Sequence, residues 1–222
     1  MATKQAQKQA ISLKGSTKIV TEFFDYSVNN ILYQRGIYPS DDFKMVKKYG
    51  LPMLMTTDDN VKAYLASITE QVHAWLMSGQ ITRLVLAIIS KDTRETLERW
   101  QFDVKMDASS TEPNPSDSFI PAGSGQGSKP KTEKQVQAEI REIMKQITSS
   151  VTFLPMLDEP CTFNILAYTS LDTDGSTPLP TPEKWVESDA HLIDAAKVEQ
   201  VRLRSFSTNV HKLEAMVAYK LD

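Results

Sequence analysis

Three stretches of the chain place apolar residues at helical spacing. The stripes span residues 19–32, 61–76 and 136–147, and each predicts an amphipathic helix with one face in a core. Ser16 is the expected N-cap of the first helix. Thr132, followed three residues later by a glutamine, is typical of a capping box and is the expected cap of the third.

The remaining apolar segments are typical of strands. Residues 81–90 form a nearly continuous apolar run, which predicts a central strand covered on both faces. Residues 97–104 alternate apolar and polar side chains, so the two runs are expected to pair as an antiparallel hairpin. Residues 161–169 predict a third strand, with prolines before it and a turn-rich segment after it that favour an accessible edge. The tail, 201–222, predicts two strands separated by a slip near Ser205.

The order of these elements favours an α+β fold with three helices packed on an antiparallel sheet. We expect a flexible arm over residues 1–12, followed by one domain over 13–222. The segment 106–131 is rich in Ser, Pro and Gly and predicts a disordered loop. Residues 171–184 are punctuated by Pro and Gly and are also expected to be mobile.

Composition narrows the class of protein. The formal net charge is −3 and no long basic run occurs, which argues against binding of nucleic acid through its phosphates. Cys161 is the only cysteine, so no internal disulfide can form and a reducing compartment is expected. The first ten residues lack the apolar core of a secretory signal, and the longest apolar run, 84–89, is too short to span a bilayer. We therefore expect a soluble intracellular protein.

The sequence contains no recognisable catalytic or metal-binding constellation. The three histidines, at 73, 191 and 211, have no ligand spacing with one another, and no glycine-rich phosphate loop follows a strand. We expect no enzyme activity, no cofactor and no metal. Binding is the better hypothesis, because an exposed edge strand can accept an extended peptide as an added strand. The strand at 161–169 is the candidate edge, which the apolar tail could cover or release.

Five longer sequence segments resemble those of a known protein family. They are ILYQRGIYP from Ile31, LERWQFDV from Leu97, QITSSVTFLP from Gln146, VRLRSFST from Val201 and HKLEAMVAYK from His211. In this order they resemble the HORMA-domain family, most closely its spindle-checkpoint branch, over residues 13–219. The Ser/Pro-rich insert suggests a fungal member. The resemblance implies three helices on an antiparallel sheet, and open and closed topologies that differ in where the C-terminal segment lies.

The resemblance also implies a function. A checkpoint member entraps, under a C-terminal safety belt, peptide motifs of the activator of the anaphase-promoting complex or of a coiled-coil kinetochore partner, and so delays anaphase. Implied partners include a kinase-related subunit of the inhibitory complex and a second copy of the chain, with open and closed conformers associating. The implied locations are nucleus, kinetochore and cytoplasm, and neither nucleic acid nor membrane is an expected partner. The alternatives are an adaptor of another complex, such as a translesion polymerase accessory subunit, and a non-switching module that binds coiled coils.

Individual positions follow from the resemblance. The belt is expected over residues 171–222. The implied peptide-receiving edge is Phe163, Asn164, Ile165, Leu166, Ala167 and Tyr168. The residues implied to line the groove or to close and anchor the belt are Trp75, Trp185, Arg202, Leu203, Phe206, Met216, Val217 and Tyr219. The implied surface for open–closed dimers is Glu98, Arg141, Lys145, Gln146, Phe153 and Arg204, and Leu13 is implied to hold the open form.

Two further expectations follow from the belt. Lys145 stands where the family pattern has arginine, and a lysine offers a point charge instead of a bidentate fork. Removal of residues 211–222 is expected to abolish peptide binding while the helices stay folded. Interconversion of the two topologies is expected to be slow, since strands must detach before they pair again.

Overall fold

The computed structural model describes residues 11–107, 130–169, 185–186 and 188–221. It contains three α-helices: α1 (Leu13–Gln34), α2 (Asp59–Met77) and α3 (Glu133–Ser149). Two short 3-10 turns, Ser40–Asp42 and Ser150–Thr152, follow α1 and α3. None of the helices in these residues is long and apolar enough to cross a membrane.

The sequence predicted caps for two of the three helices, and one of them is confirmed. Thr132 caps α3 in a capping box with Gln135, as predicted, and the side chain of Asp58 accepts from the backbone N–H of Val61 at the start of α2. The prediction for α1 was wrong, because Ser12 is its cap and accepts from Gly15 N at 3.1 Å. Ser16 lies inside the helix instead.

Seven strands form two sheets in the described residues. They are β1 (Phe43–Lys48), β2 (Leu51–Thr56), β3 (Ile81–Ser90), β4 (Thr96–Met106), β5 (Cys161–Thr169), β6 (Val198–Ser207) and β7 (His211–Lys220). The main sheet has the order β5-β3-β4-β7-β6, with every neighbouring pair antiparallel. The α+β prediction, the β3–β4 hairpin and the edge position of β5 are thereby confirmed.

The hairpin β1–β2 was missing from the sequence interpretation. Its turn is formed by Tyr49 and Gly50, whose φ angles of 52° and 74° are both positive, as a tight two-residue hairpin turn requires. Arg141 of α3 holds this turn, because its Nε donates to the carbonyl of Tyr49 at 2.7 Å. The strands carry several lysines and little alternation, which explains why the pattern gave no signal.

The helices cover one face of the main sheet, and the core lies between them. Phe23 of α1 packs against Phe102 of β4 and Phe206 of β6, with ring centroids 6.0 and 5.1 Å apart. All three rings are at most 1% exposed. The tail hairpin β6–β7 is therefore part of the main core and not an appendage.

The C-terminal strand β7 lies inside the sheet, between β4 and β6. Val217 is opposite both Trp100 of β4 and Val201 of β6. The register shifts between Arg202 and Ser205, which confirms the predicted slip in the tail. These two pairings explain why an alternating terminal segment does not fray.

The described residues include only the two ends of the expected loop at 106–131. Met106 is the last residue of β4, and the Nζ of Lys131 forms an ion pair of 2.7 Å with Glu139 of α3. Residues 108–129 and 170–184, which include most of both expected mobile segments, lie outside the described residues, as does most of the expected arm.

Candidate functional site

One edge of the main sheet is open. β5 pairs with β3 along its whole length, with Ile165 opposite Leu86, and no other described strand pairs with its outer side. Alternate backbone N–H and C=O groups along that side are therefore available to a further strand. The opposite edge strand, β6, is partly covered, because the backbone N–H groups of Arg204 and Ser207 donate to Gln146 and Glu139 of α3. Within the described part of the chain, the outer side of β5 is therefore the more open of the two edges of the main sheet.

The helix-facing side of this edge is lined with aromatic rings. Phe163 lies edge-on to Tyr38 and Tyr64, at centroid distances of 6.1 and 5.7 Å. Burial raises the pKa of Tyr64, and a hydrogen bond from the backbone of Ile165 opposes that shift. Ala167 packs against the core next along the strand. The result is an apolar groove beside a row of backbone donors and acceptors, which suits apolar side chains at alternate positions of a bound strand.

The tail contacts the groove on this side through Trp185. Its ring lies 4.8 Å from that of Trp75 at the end of α2, at an interplanar angle of 67°. Trp75 is 8% exposed, and Trp185 is half-buried against the core. The contact fixes the tail to the helix side of the sheet at residue 185.

Three residues later the tail lies on the other face of the sheet. Side chains alternate along β5, so Asn164 points away from the helices when its neighbours Phe163 and Ile165 point toward them. The Nδ2 of Asn164 is 3.5 Å from Ser188 Oγ and 3.3 Å from His191 Nε2. The described contacts at residues 185 and 188 therefore lie on opposite faces of the sheet, on either side of the open edge of β5. We call the described residues 185–197, except 187, the belt segment.

The far face of the sheet carries a closed ring of polar contacts at the other end of β5. Arg99 donates to Tyr168 Oη at 3.0 Å and to Gln101 Oε1 at 2.6 Å, and Gln101 donates to Asp103 at 2.8 Å. Arg83 closes the ring, because it pairs with Asp103 at 2.5 Å and stacks 5.6 Å from the Tyr168 ring centroid. Arg99 is 8% exposed and its Nε has no hydrogen-bond partner. The ring ties the end of the edge strand to the middle of the sheet.

Several tail residues implied to bind the peptide lie elsewhere. The strand order places the tail hairpin at the opposite edge of the sheet from the outer side of β5, so its side chains cannot touch a strand added there. Instead they anchor the hairpin, with Phe206, Val217 and Tyr219 buried at 1%, 0% and 7% exposure. The members of the implied set in this position are Arg202, Leu203, Phe206, Met216, Val217 and Tyr219.

Four residues of the implied dimer surface lie together on α3 and β6. The Oε1 of Gln146 accepts from the backbone N–H of Arg204 at 2.7 Å, so the two elements are joined here. Lys145 pairs with Glu142 at 2.9 Å, and Arg204 approaches the same carboxylate at 3.9 Å. Arg141 is also on α3, where it holds the β1–β2 turn.

The other implied dimer residues fall into two classes. Phe153 lies just after α3, is 42% exposed, and has its ring 6.5 Å from that of Tyr219. Glu98 is 1% exposed and cannot contact a partner in this conformation. It pairs with Arg35 at 2.5 Å and accepts from Trp100 Nε1 at 3.0 Å. Burial is the larger influence on its pKa and raises it, and the guanidinium opposes the rise.

Some contacts of the site were not found from sequence. Tyr38 and Tyr64 were not predicted as groove residues, because periodicity does not distinguish a core ring from a groove ring. Ser188 and His191 gave no signal at all, since their role depends on how the tail crosses the edge. Leu13 begins α1 and is 37% exposed.

No metal-binding group was found among the described residues. No cluster of three or more His, Cys, Asp or Glu side chains occurs there. An open groove of about 740 Å³ lies between α1, α2 and the β1–β2 hairpin, with Asp25, Lys44 and Glu70 among its lining residues. Burial raises the pKa of Asp25, but the mixed charges of the groove do not define a ligand.

The site can now be compared with known proteins. A model of the HORMA domain matches residues 16–211. The chain belongs to the HORMA domain family. A maize protein, "Mitotic spindle checkpoint protein MAD2", is 46% identical, and the match covers 100% of this chain and 97% of the maize protein. The fission yeast "Mitotic spindle checkpoint component mad2" is 47% identical and covers 95% of both chains.

A solved HORMA structure has the same arrangement. A chain of the "Crystal Structure of Mitotic Checkpoint Complex" superposes with a TM-score of 0.77 at 45% identity, covering 93% of this chain and 99% of that chain. A more distant relative, the fission yeast "DNA polymerase zeta processivity subunit", is 27% identical over 79% of this chain and 76% of its own length. The expectation of a fungal member is not supported, because the plant and yeast relatives are equally similar.

Proposed function

We propose that this HORMA protein is a spindle assembly checkpoint adaptor that captures an extended peptide at the open edge of β5. The belt segment encloses the peptide by passing from Trp75 on the helix side to Asn164 on the far side. The observation that supports the proposal most strongly is this crossing, since a strand added at that edge would be held by backbone pairing on one side and by the belt on the other.

The proposed ligands are peptide motifs of the activator of the anaphase-promoting complex and of a coiled-coil kinetochore partner. The apolar groove at Phe163 favours motifs with large apolar side chains at alternate positions. Capture of the activator would delay anaphase. The corresponding locations are nucleus, kinetochore and cytoplasm, and the kinase-related subunit of the inhibitory complex is a further proposed partner.

The proposal includes self-association. Arg141, Lys145, Gln146, Arg204 and Phe153 lie on one side of the molecule, and we propose that this face, without Glu98, contacts a second copy in another conformation. Charged side chains of this face already form ion pairs within the chain, for example Lys145 with Glu142. The exposed ring of Phe153 is therefore the residue expected to carry most of the affinity.

Binding, and not catalysis, is the proposed activity. On its helix side, the open edge of β5 is a strand-pairing surface with an apolar aromatic lining, which suits an extended peptide. The polymerase-adaptor alternative uses the same fold, but the lower identity and coverage of that relative favour the checkpoint role.

A complementation experiment distinguishes the two functions. The chain is expressed in fission yeast that lacks its checkpoint relative, and cells are treated with a drug that depolymerises spindle microtubules. We expect restored mitotic arrest, and we expect no restored DNA-damage tolerance in a strain that lacks the polymerase zeta processivity subunit. The opposite pattern would contradict the proposal. Immunoprecipitation from the arrested cells then identifies the captured motif.

A further inference from the structure

Three buried polar side chains join the start of α1 to the tip of the tail hairpin. The Oγ of Ser16 is 2.5 Å from Thr208 Oγ1 and 2.7 Å from His211 Nδ1. Ser16 and Thr208 are fully buried, and His211 is 2% exposed. We call these three residues the hydroxyl–histidine cluster. It is a polar contact between α1 and a hairpin that is otherwise held by strand pairing and apolar packing.

The protons of the cluster can be assigned from its acceptors. Thr208 Oγ1 accepts backbone N–H groups of His211 at 2.9 Å and Val210 at 3.3 Å, which uses both of its lone pairs. Its own proton therefore points to an acceptor, and Ser16 Oγ at 2.5 Å is nearer than the carbonyl of His211 at 3.2 Å. Ser16 then donates its proton to His211 Nδ1. The hydroxyl and backbone donors of the cluster then all have acceptors, provided that Nδ1 carries no proton.

Protonation of His211 breaks this assignment. A proton on Nδ1 makes it a donor that faces the donor hydroxyl of Ser16, and Thr208 has no lone pair left to accept the displaced proton. The added charge is also buried, which costs free energy unless an ion pairs with it. Burial lowers the pKa of His211, and no neighbouring charge contributes to that shift.

The charged groups around His211 do not compensate for this cost. On β3 and β4 the nearest are Arg83, Asp103 and Lys105, which line the same cavity as His211. Arg83 and Asp103 pair with each other at 2.5 Å, and Lys105 approaches Glu214 of β7 at 3.5 Å.

The remaining charged neighbours belong to the ends of other elements. Asp107 follows β4 and accepts from Ser207 at 2.6 Å. Lys212 of β7 pairs with Glu214 at 2.8 Å, and α1 contributes Lys14 and Lys18 near Ser16. Arg83, Asp103, Lys105 and Lys212 each form their ion pairs with other residues and not with the His211 ring.

We propose that the hydroxyl–histidine cluster is a proton-sensitive latch that holds the tail hairpin against α1. The latch is closed when His211 is neutral and opens when it is protonated. Because the belt segment leads directly into β6 at Val198, release of the hairpin loosens the belt as well. This last consequence rests on the proposed function, whereas the latch itself does not.

The sign of the pH dependence follows from linkage. The pKa of His211 is lower in the folded hairpin than its ordinary value of 6.5, so the detached hairpin binds protons more readily. The stability of the docked hairpin is therefore full above pH 6.5 and is lost as pH falls toward the folded pKa. Between pH 6.5 and the folded pKa, the equilibrium constant for opening should rise about tenfold for each unit by which the pH falls.

Hydrogen exchange of the free protein tests the latch. The opening equilibrium of β7 is measured at Leu213 and Ala215, corrected for the intrinsic pH dependence of exchange, from pH 7.5 to 5.5, with the β3 amides as the internal reference. We expect β7 to open more at low pH while β3 does not change. His211→Asn keeps an acceptor near the position of Nδ1 and cannot titrate, so its profile should be flat. His73→Asn on α2 is the matched control and should behave as wild type.

Three results would overturn the latch. They are wild-type β7 protection that is independent of pH, a pH dependence retained in His211→Asn, and an imidazole NMR titration that places the pKa of His211 at or above its ordinary value. The titration needs no variant, so it decides the matter even if His211→Asn fails to fold. A peptide-release assay at both pH values is added: faster release at low pH in wild type alone supports the link to the belt. Failure of peptide capture, with normal exchange results, would count against the proposed function and not against the latch.

Discussion

Trp185 packs edge-on against Trp75, with ring centroids 4.8 Å apart, and this pair fixes the belt segment to α2. Beyond this point the described contacts of the tail are on the opposite face of the sheet, at Asn164. The two contacts lie on either side of the open edge of β5. The strength of the first contact should therefore set how long a peptide at that edge is retained.

Trp185→Ala is expected to speed peptide release about tenfold. An aromatic pair contributes about 0.5–1.5 kcal/mol beyond the area it buries, and changes at an interface act mainly on the dissociation rate. Val186→Ala is the matched control, because Val186 is 79% exposed. Dissociation rates of a fluorescent peptide check the prediction, and equal rates for the two variants would contradict it.

Glu98→Ala is expected to reduce stability and not to act on self-association directly. It leaves the guanidinium of Arg35 buried without its carboxylate, which typically costs about 3–5 kcal/mol. Urea denaturation measures the loss. Glu214→Ala removes the carboxylate of an exposed pair and should leave the midpoint nearly unchanged. A Glu98→Ala protein with wild-type stability but impaired dimerisation would contradict this prediction and would indicate that Glu98 contacts a partner.

Phe153→Ala is expected to weaken self-association about tenfold with little change in melting temperature. The ring is 42% exposed, so its loss leaves no buried cavity, while exposed aromatic residues often dominate binding free energy. Met156→Ala is the control, since Met156 is 82% exposed nearby and is not part of the implied surface. Sedimentation velocity of mixed peptide-bound and free protein gives the dissociation constants. Identical dissociation constants for the two variants would show that Phe153 is not part of the dimer surface.

Deletion of residues 211–222 is expected to destabilise the whole domain. The sequence suggested that this segment could be removed while the helices stayed folded, but Leu213, Ala215 and Val217 are at most 4% exposed in the core. At about 1.5–3 kcal/mol for each large apolar side chain, the loss approaches 5 kcal/mol. Circular dichroism melting of the truncated chain measures it. An unchanged melting temperature would support the sequence-based expectation that the segment can be removed while the helices stay folded.

The periodicity of the chain was enough for most of the scaffold. The stripe from Val61 to Leu76 gives α2, and the run at 81–90 gives the central strand, because burial imposes a period of 3.6 or an unbroken apolar sequence on such segments. The β1–β2 hairpin does not bury a regular face and carries lysines, so the same reasoning fails there. Ser16 misled the cap assignment, since a serine that meets Thr208 and His211 across the fold has the same local signature as an N-cap.

The candidate site was predictable only in part, for a topological reason. The strand 161–169 was found with its correct bounds and edge position, because local punctuation by proline marks an edge. The position of the tail hairpin beside β4 is a pairing between segments about 110 residues apart, which no local pattern encodes. The resemblance gave Phe206 and Tyr219 a role in closing or anchoring the belt, but the sequence did not show that they are buried at the opposite edge of the sheet from β5. Glu98 was placed on the surface for a similar reason, since its partner Arg35 is distant in sequence.

The captured peptide is expected to become a strand at the outer side of β5. Hydrogen exchange of β5 with and without a bound peptide tests this expectation most directly. In an edge strand, alternate amides point outward and exchange with solvent, and pairing with a peptide removes that exposure.

We predict that the outward-facing amides between residues 162 and 168 slow by at least about a hundredfold on peptide binding, as expected when exposed amides enter a stable ladder. The outward amides of β6, at the opposite edge of the same sheet, should not change and serve as the internal control. Protection that appears at β6 while β5 exchanges as before would contradict the account.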